Sequence, residues 1–261
     1  MRPTITLIVL AAFLITAGGA FAQQGVKLEY KFEKDQPLRY RLNMGSEATF
    51  TMPDGNVQNL NMKTYIELTQ ELIEKKPDGS YRLAVSIDKA HQIVNGNNTP
   101  LQNMPPSLVT MKENGEIVDA AAAQAAPGTQ QLQMVFPQKR ITQGESWIQE
   151  QKIQQPIPML TKTKYTLAKL STPFPGYDNP VAQIKNRMKL NNMETPTGEE
   201  VSSQTRGNLW FDVERGCIVR SKAHSNFTFN LPIQIPGMMP EGATVQVKMK
   251  LQIEISLIED E

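Results

Sequence analysis

One cysteine and two histidines in 261 residues exclude more than any motif present includes. A single cysteine allows no internal disulfide framework, even in an oxidising compartment. Zinc sites draw three or four ligands from well-spaced His, Cys or carboxylate side chains. Cys217, His91 and His224 are too few and too scattered for such a site. A Gly-rich phosphate loop is missing. So is the G-x-S-x-G turn that would support a Ser-His-Asp triad, although triad members need not be neighbours in sequence. The carboxylate pair Glu199-Glu200 sits in a polar stretch, without the cleft and raised pKa that glycosidase-like chemistry needs. No catalytic residue, metal or cofactor is expected from these residues.

An excess of either charge is lacking too. The chain has 27 Lys and Arg against 26 Asp and Glu, a balance that argues against nucleic acid or an anionic membrane surface as main partner. A long apolar run is also absent after the first residues. What stands at the start, "MRPTITLIVLAAFLITAGGAFAQQG", has the three parts of a secretory signal peptide: Arg2, an apolar stretch from Thr4 to Thr16, and the small-x-small site Ala20-Phe21-Ala22. The apolar stretch is short for a membrane span, and no cysteine follows it to carry a lipid. Residues 1–22 read as a signal peptide and 23–261 as a single β-rich domain, exported to the periplasm or the extracellular space. Arg2 is the one charged residue in 1–22, so the remaining chain has a formal charge of zero.

The strongest pattern is period-two alternation. In "ATVQVKMKLQIEISLI" the odd positions Val245 to Leu257 are all apolar, while Gln246, Lys248, Lys250, Gln252, Glu254 and Ser256 are polar. "PLRYRLN", "SYRLAVSID" and "VAQIKNRMKLN" repeat the pattern. Strands with one apolar and one wet face belong to antiparallel sheets. Pro53-Asp54-Gly55, Pro77-Asp78-Gly79, Asn114-Gly115 and Arg215-Gly216 are hairpin turns between such runs. The Ala- and Gln-rich residues 119–136 favour one or two short helices, broken at Pro127-Gly128. A weak repeat sets "TMKENGEIVD" (110–119) beside "FDVERGCIVR" (211–220), both with E-x-G-x-I-V, and suggests half-repeats 26–119 and 132–259. The fold expected is mainly β: a strongly curved antiparallel sheet or half-barrel built from two similar halves.

The G-x-x-W of Gly144 to Trp147, the G-x-x-x-x-D-x-x-x-G of Gly207, Asp212 and Gly216, and the strand that follows resemble a group of exported bacterial proteins of unknown function. More remotely, the layout is similar to the lipoprotein-carrier superfamily. That second resemblance implies a curved antiparallel sheet that wraps helices and holds an apolar ligand. Neither resemblance brings a catalytic residue.

Alternation puts Cys217 on the mostly apolar face beside a turn, and its repeat counterpart is Glu116, so it is expected at the sheet rim. His224 falls on the other face. With no base nearby, Cys217 reads as a structural residue rather than a nucleophile. Three apolar stretches stand where polar loops belong: "NMPPSLV", "QPIPML" and "LPIQIPGMMP". Their Met104, Leu108, Ile157, Met159, Leu160, Ile235, Met238 and Met239 are the candidate residues for an adaptable mouth around an apolar ligand. The same loops also suit a partner-protein surface, thioether capture of copper(I), or packing back on the core. The function expected is that of an exported, non-catalytic protein binding a lipid or other apolar small molecule. The alternative is a structural or protein-interaction component of the bacterial cell envelope. Intact mass of the exported protein should place its first residue at Gln23; a chain still starting at Met1 would remove the exported reading.

Overall fold

The computed structural model describes residues 25–101, 105–118, 134–153, 159–191, 202–232 and 244–259. They form eleven strands: β1 Leu38–Thr51, β2 Val57–Lys75, β3 Tyr81–Val94, β4 Asn97–Pro100, β5 Ser107–Met111, β6 Ser146–Ile153, β7 Met159–Phe174, β8 Tyr177–Asn191, β9 Ser202–Asp212, β10 Cys217–Pro232 and β11 Thr244–Ile258. All join one antiparallel sheet in the order β4-β3-β2-β1-β11-β10-β9-β8-β7-β6, with β5 beside β3. The sheet does not close on itself. Among the described residues no helix is long and apolar enough to cross a membrane. The helices expected at 119–136 fall mostly outside the described residues. Met134 to Phe136 are not helical, because their backbone amides are drawn elsewhere: Phe136 N–H donates to Asn114 O at 2.8 Å and Met134 N–H to Tyr30 Oη at 3.3 Å.

The alternation read from the sequence sets the two faces. On β1, Leu38, Tyr40, Leu42 and Ala48 are buried, and their β11 neighbours Leu257, Ile255 and Met249 share that face. The four expected turns all occur, each with its glycine at positive φ: Gly55, Gly79, Gly115 and Gly216. The stretch 103–109 is different. Ser107–Met111 is a strand on the first half of β3 and Asn97–Pro100 pairs with its second half, so Leu108 and Val109 lie in an edge strand rather than in a loop. Proline, which cannot donate to a ladder, is confined to such edges.

The core occupies one end of the sheet. There the segment Val26–Phe32 crosses beneath the strands and buries Leu28, Tyr30 and Phe32. Val26 and Ile141 exchange backbone hydrogen bonds at 2.8 and 2.9 Å, and Tyr30 N–H donates to Glu113 O and Lys31 N–H to Gly216 O. Tyr30, Phe136 and Phe211 pack mutually at ring separations of 4.8–5.5 Å, a geometry worth about 0.5–1.5 kcal/mol per pair beyond burial. Trp147 stacks on Tyr165 at 5.4 Å and donates its indole N–H to Val135 O at 3.0 Å. This plug bridges the turn after β5 to the β9–β10 turn and to the segment leading into β6.

The two turns of the E-x-G repeat hold the plug from both sides. A Cβ on Gly115 would lie 2.2 Å from Met134 O, and one on Gly216 would lie 2.5 Å from Lys31 N. Only glycine fits, on grounds of space and of positive φ. Gly115→Ala and Gly216→Ala should each cost more than about 3 kcal/mol, from left-handed strain plus backbone overlap. Gly55→Ala, at φ 85 but with open space around it, should cost only about 1 kcal/mol. Urea unfolding midpoints check the ranking, which fails if the three substitutions cost the same.

Candidate functional site

Beyond the plug, the same inner face continues for half the length of the long strands, and the pairing register arranges its side chains in rows across them. Leu60, Ala48, Met249 and Phe227 form one row on β2, β1, β11 and β10. Phe50, Val247 and Phe229 form the next, with Val245 beyond. On β9 and β8 the corresponding positions turn polar: Ser203 faces Phe227, Thr205 faces Ser225, and Asn186 faces Gly207. The face is thus apolar over four strands in the first row and three in the next, where Gln58 stands opposite Phe50, and polar toward β8. Ala48, Val245 and Val247 are buried, while Leu60, Met62, Phe227, Phe229 and Met249 are half-buried. Aliphatic and aromatic side chains with no catalytic group among them can hold an apolar body by burial, at roughly 25 cal/mol per Å².

Of the residues expected to line a mouth, Met104, Ile157, Ile235, Met238 and Met239 lie outside the described residues. Met159 and Leu160 begin β7 rather than ending a loop. Leu108 lies in β5, 49% exposed and opposite Ala84. The strand ends flanking 154–158 and 233–243 pair as Ile153 with Met159 and Pro232 with Thr244. Both lie at the end of the sheet away from the plug. The inner-face rows were missed because each strand taken alone shows only alternation; a row needs the register between strands.

The outer face is polar. Tyr65 stacks on His91 at 4.7 Å, and a depression of about 510 Å³ above Gly45 is lined by Lys63, Tyr65, Ile93, Lys250 and Gln252 among others. Arg41, Glu67 and Lys89 stand in one row of alternating sign, with ion pairs of 2.9 and 3.1 Å that hold Glu67 below the usual carboxylate range. Among the described residues, no cluster of three His, Cys, Asp or Glu could hold a metal.

Cys217 is not at the rim. It is fully buried within the core cluster, and a bulge between Ile218 and Arg220 breaks the simple alternation, so that Cys217 pairs with Asp212 and Ile218 with Phe211. Burial pushes its thiol up to about 12, so the thiolate needed for nucleophilic attack is disfavoured at neutral pH. Next to it, Asp212 is buried and anchors the β9–β10 turn. Its Oδ1 accepts the Glu214 and Arg215 amides at 2.7 and 2.8 Å; its Oδ2 accepts Tyr177 Oη–H at 2.6 Å and Asn179 Nδ2–H at 3.1 Å. Burial works to raise its pKa, and these donors, led by Tyr177, outweigh it, so the carboxyl titrates below its ordinary value. Arg215 bonds Tyr177 Oη and Glu259 at 3.1 and 2.7 Å. This latch was legible only as the D-x-x-x-G spacing.

The fold defines a class: a large, open antiparallel sheet with one wet face and one face filled at a single end. No family model matches the chain, and no curated protein does either. Among solved structures the chain is similar to lipovitellin, in a structure concerned with lipid–protein interactions: TM-score 0.53, 14% identity, covering 88% of this chain and 26% of that one. The chain thus spans about a quarter of that structure's length, and the likeness at this identity is one of fold. It also overlaps DynF from the dynemicin biosynthesis pathway of Micromonospora chersina across 98% of this chain and 92% of that one, at 9% identity and a TM-score of 0.25, too loose an overlap to define a shared fold.

The buried acids generate a pH dependence. Cys217 is raised from 9.0 and Tyr165 from 10.0, each to about 12 by burial. The unfolded chain sheds these protons at lower pH than the folded chain, so stability is whole below pH 9 and falls as pH rises toward 12. Melting temperature should drop steadily above pH 9. Cys217→Ala should remove about 1 kcal/mol of the stability lost between pH 9 and 10; an unchanged slope would show the thiol to be solvated.

Proposed function

We propose that the chain is an exported, non-catalytic protein that binds an apolar ligand, a lipid foremost, against the open half of its inner face. The observation that carries this reading is the pair of cross-strand rows Leu60–Ala48–Met249–Phe227 and Phe50–Val247–Phe229, apolar beyond the reach of the plug. The apolar pattern of the face continues past the residues that the plug covers. The likeness of fold to lipovitellin, whose structure is described through its lipid–protein interactions, supports the same reading. The ends of β10 and β11 beside these rows lead into 233–243, so Ile235, Met238 and Met239 are the side chains proposed to edge the opening, with Ile157 after β6 at the far edge of the sheet. Export, with cleavage after Ala22, is part of the proposal and rests on the three-part N-terminal sequence.

One observation favours a second reading. Ala48, Val245 and Val247 are already buried, as they would be if the protein filled this face itself and served as a structural or interaction component of the cell envelope. The two readings separate on Phe227→Ser/Phe229→Ser. A ligand face predicts that the wild type binds a fluorescent fatty-acid probe and that the double variant binds it about tenfold or more weakly with a near-normal melting temperature. A filled face predicts no probe binding by the wild type, and a fall of roughly 2–4 °C for each kcal/mol of packing lost.

A further inference from the structure

The formal charge of zero conceals a segregation visible only once the strands are in register. On the outer face, Lys164 of β7 stands opposite Arg187 of β8, Arg187 opposite Arg206 of β9, and Arg206 opposite His224 of β10. Four basic side chains thus form one uninterrupted row across four strands. Lys185 and Lys222 flank it in the next row. Lys164, Lys185, Arg187, Arg206 and His224 are all exposed. The nearby carboxylates are committed elsewhere: Glu150 pairs with Lys162 at 2.7 Å, and Glu254 pairs with Arg220 and, at 3.4 Å, with Lys222. Among the described residues, no ion pair neutralises Lys164, Lys185, Arg187 or Arg206.

Like charges directly opposite one another on adjacent strands destabilise a sheet. A face that needed only to be wet would alternate its signs, and the other half of this same face does so, in the paired row Arg41–Glu67–Lys89. The contrast within one sheet is what calls for a ligand. Strands lie about 4.8 Å apart, so the row is roughly 14 Å long, too long for one phosphate to satisfy. The cations stand out from an extended surface and match an array of separate anions. Among the described residues no aromatic ring stands in the row or its flank, and Trp210, one row further on, packs on Phe174 at 5.4 Å, so the row itself offers bases no stacking platform.

We infer that the outer face of β7–β10 docks on an anionic phospholipid bilayer, with Lys164, Lys185, Arg187 and Arg206 on the lipid phosphates. The choice of a bilayer rests on the apolar-ligand reading, since a bilayer is where such a ligand is taken up or delivered. The opposite sides of the sheet then divide the work: one face meets the headgroups and the other takes the apolar body.

Flotation of the full mature chain with phosphatidylcholine vesicles, with and without phosphatidylglycerol, tests this. Binding is expected only with phosphatidylglycerol, and it should fall as salt is raised. Arg187→Gln/Arg206→Gln should weaken it about thirtyfold, at roughly fivefold per basic group near an anionic surface. Arg41→Gln/Lys89→Gln removes the same formal charge from the alternating row and should change binding by less than about twofold. If the arginine variant misfolds by circular dichroism, Lys164→Gln and Lys185→Gln singly should each weaken binding about fivefold. Equal binding to neutral vesicles, no binding to anionic ones, or equal losses in the two double variants would overturn the inference. So would a wild type that ignores vesicles yet binds nucleic acid through the same arginines. Phe227→Ser/Phe229→Ser should keep its vesicle binding, so failure of the apolar-ligand reading shows in the probe assay alone.

Discussion

The structure depends on the capture of one extended segment, Val26–Phe32, between two glycine turns that lie about a hundred residues apart in the chain. Gly115 and Gly216 leave room for backbone where any side chain would collide. The amides of Tyr30 and Lys31 are satisfied by the carbonyls of Glu113 and Gly216. A buried backbone group without a partner is costly, so the segment cannot slide without losing several hydrogen bonds at once. With it in place, the rings of Tyr30, Phe136 and Phe211 meet and one end of the sheet becomes a solid core. The other end owes nothing to this plug.

That asymmetry organises the rest. Near the plug, the inward Leu38, Tyr40, Leu42, Leu68 and Ile255 are large and buried, and even Cys217 and Asp212 are sealed. Away from it, the inward positions grade into half-buried methionine and phenylalanine on β10 and β11 and into serine and threonine on β9. The outer face shows its own asymmetry at right angles to the first, across the strands rather than along them, from alternating signs on β1–β3 to uniform positive charge on β7–β10.

The strands and turns were legible because they are local. The period of two in 245–257 and the Asp-Gly, Asn-Gly and Arg-Gly pairs carry their own physical reasons. What was not legible is what depends on register or on distant contacts. "EYKFEKD" shows two aromatic side chains but nothing that marks it as a plug, since its partners are Glu113, Gly216 and Phe136. Cys217 was placed at the rim because its own strand does not show the bulge after Ile218 or the Asp212–Tyr177–Arg215 latch beside it, both of which depend on distant contacts. Leu108 read as a loop residue because Pro105-Pro106 looks like a break, whereas an edge strand tolerates such a break and resumes. The basic row across β7–β10 exists only when four strands are laid side by side; in the sequence its members are separated by stretches of ordinary length and mixed charge.

The central position of β1 and β11 has a consequence for how the chain reaches this shape. The first and last long strands pair with each other in the middle of the sheet, Leu42 opposite Ile255, with more than two hundred residues between them. Each flanking set of hairpins forms from neighbours in sequence, but the seam that joins them cannot form until the final strand is available. Loop closure over such a span precedes any reward from the contacts it creates, which slows folding. Until the seam closes, β1 and β10 are unpaired edges, open to pairing with other chains. The time-limiting and most aggregation-exposed step of the molecule's life is therefore written into its strand order rather than into any single residue.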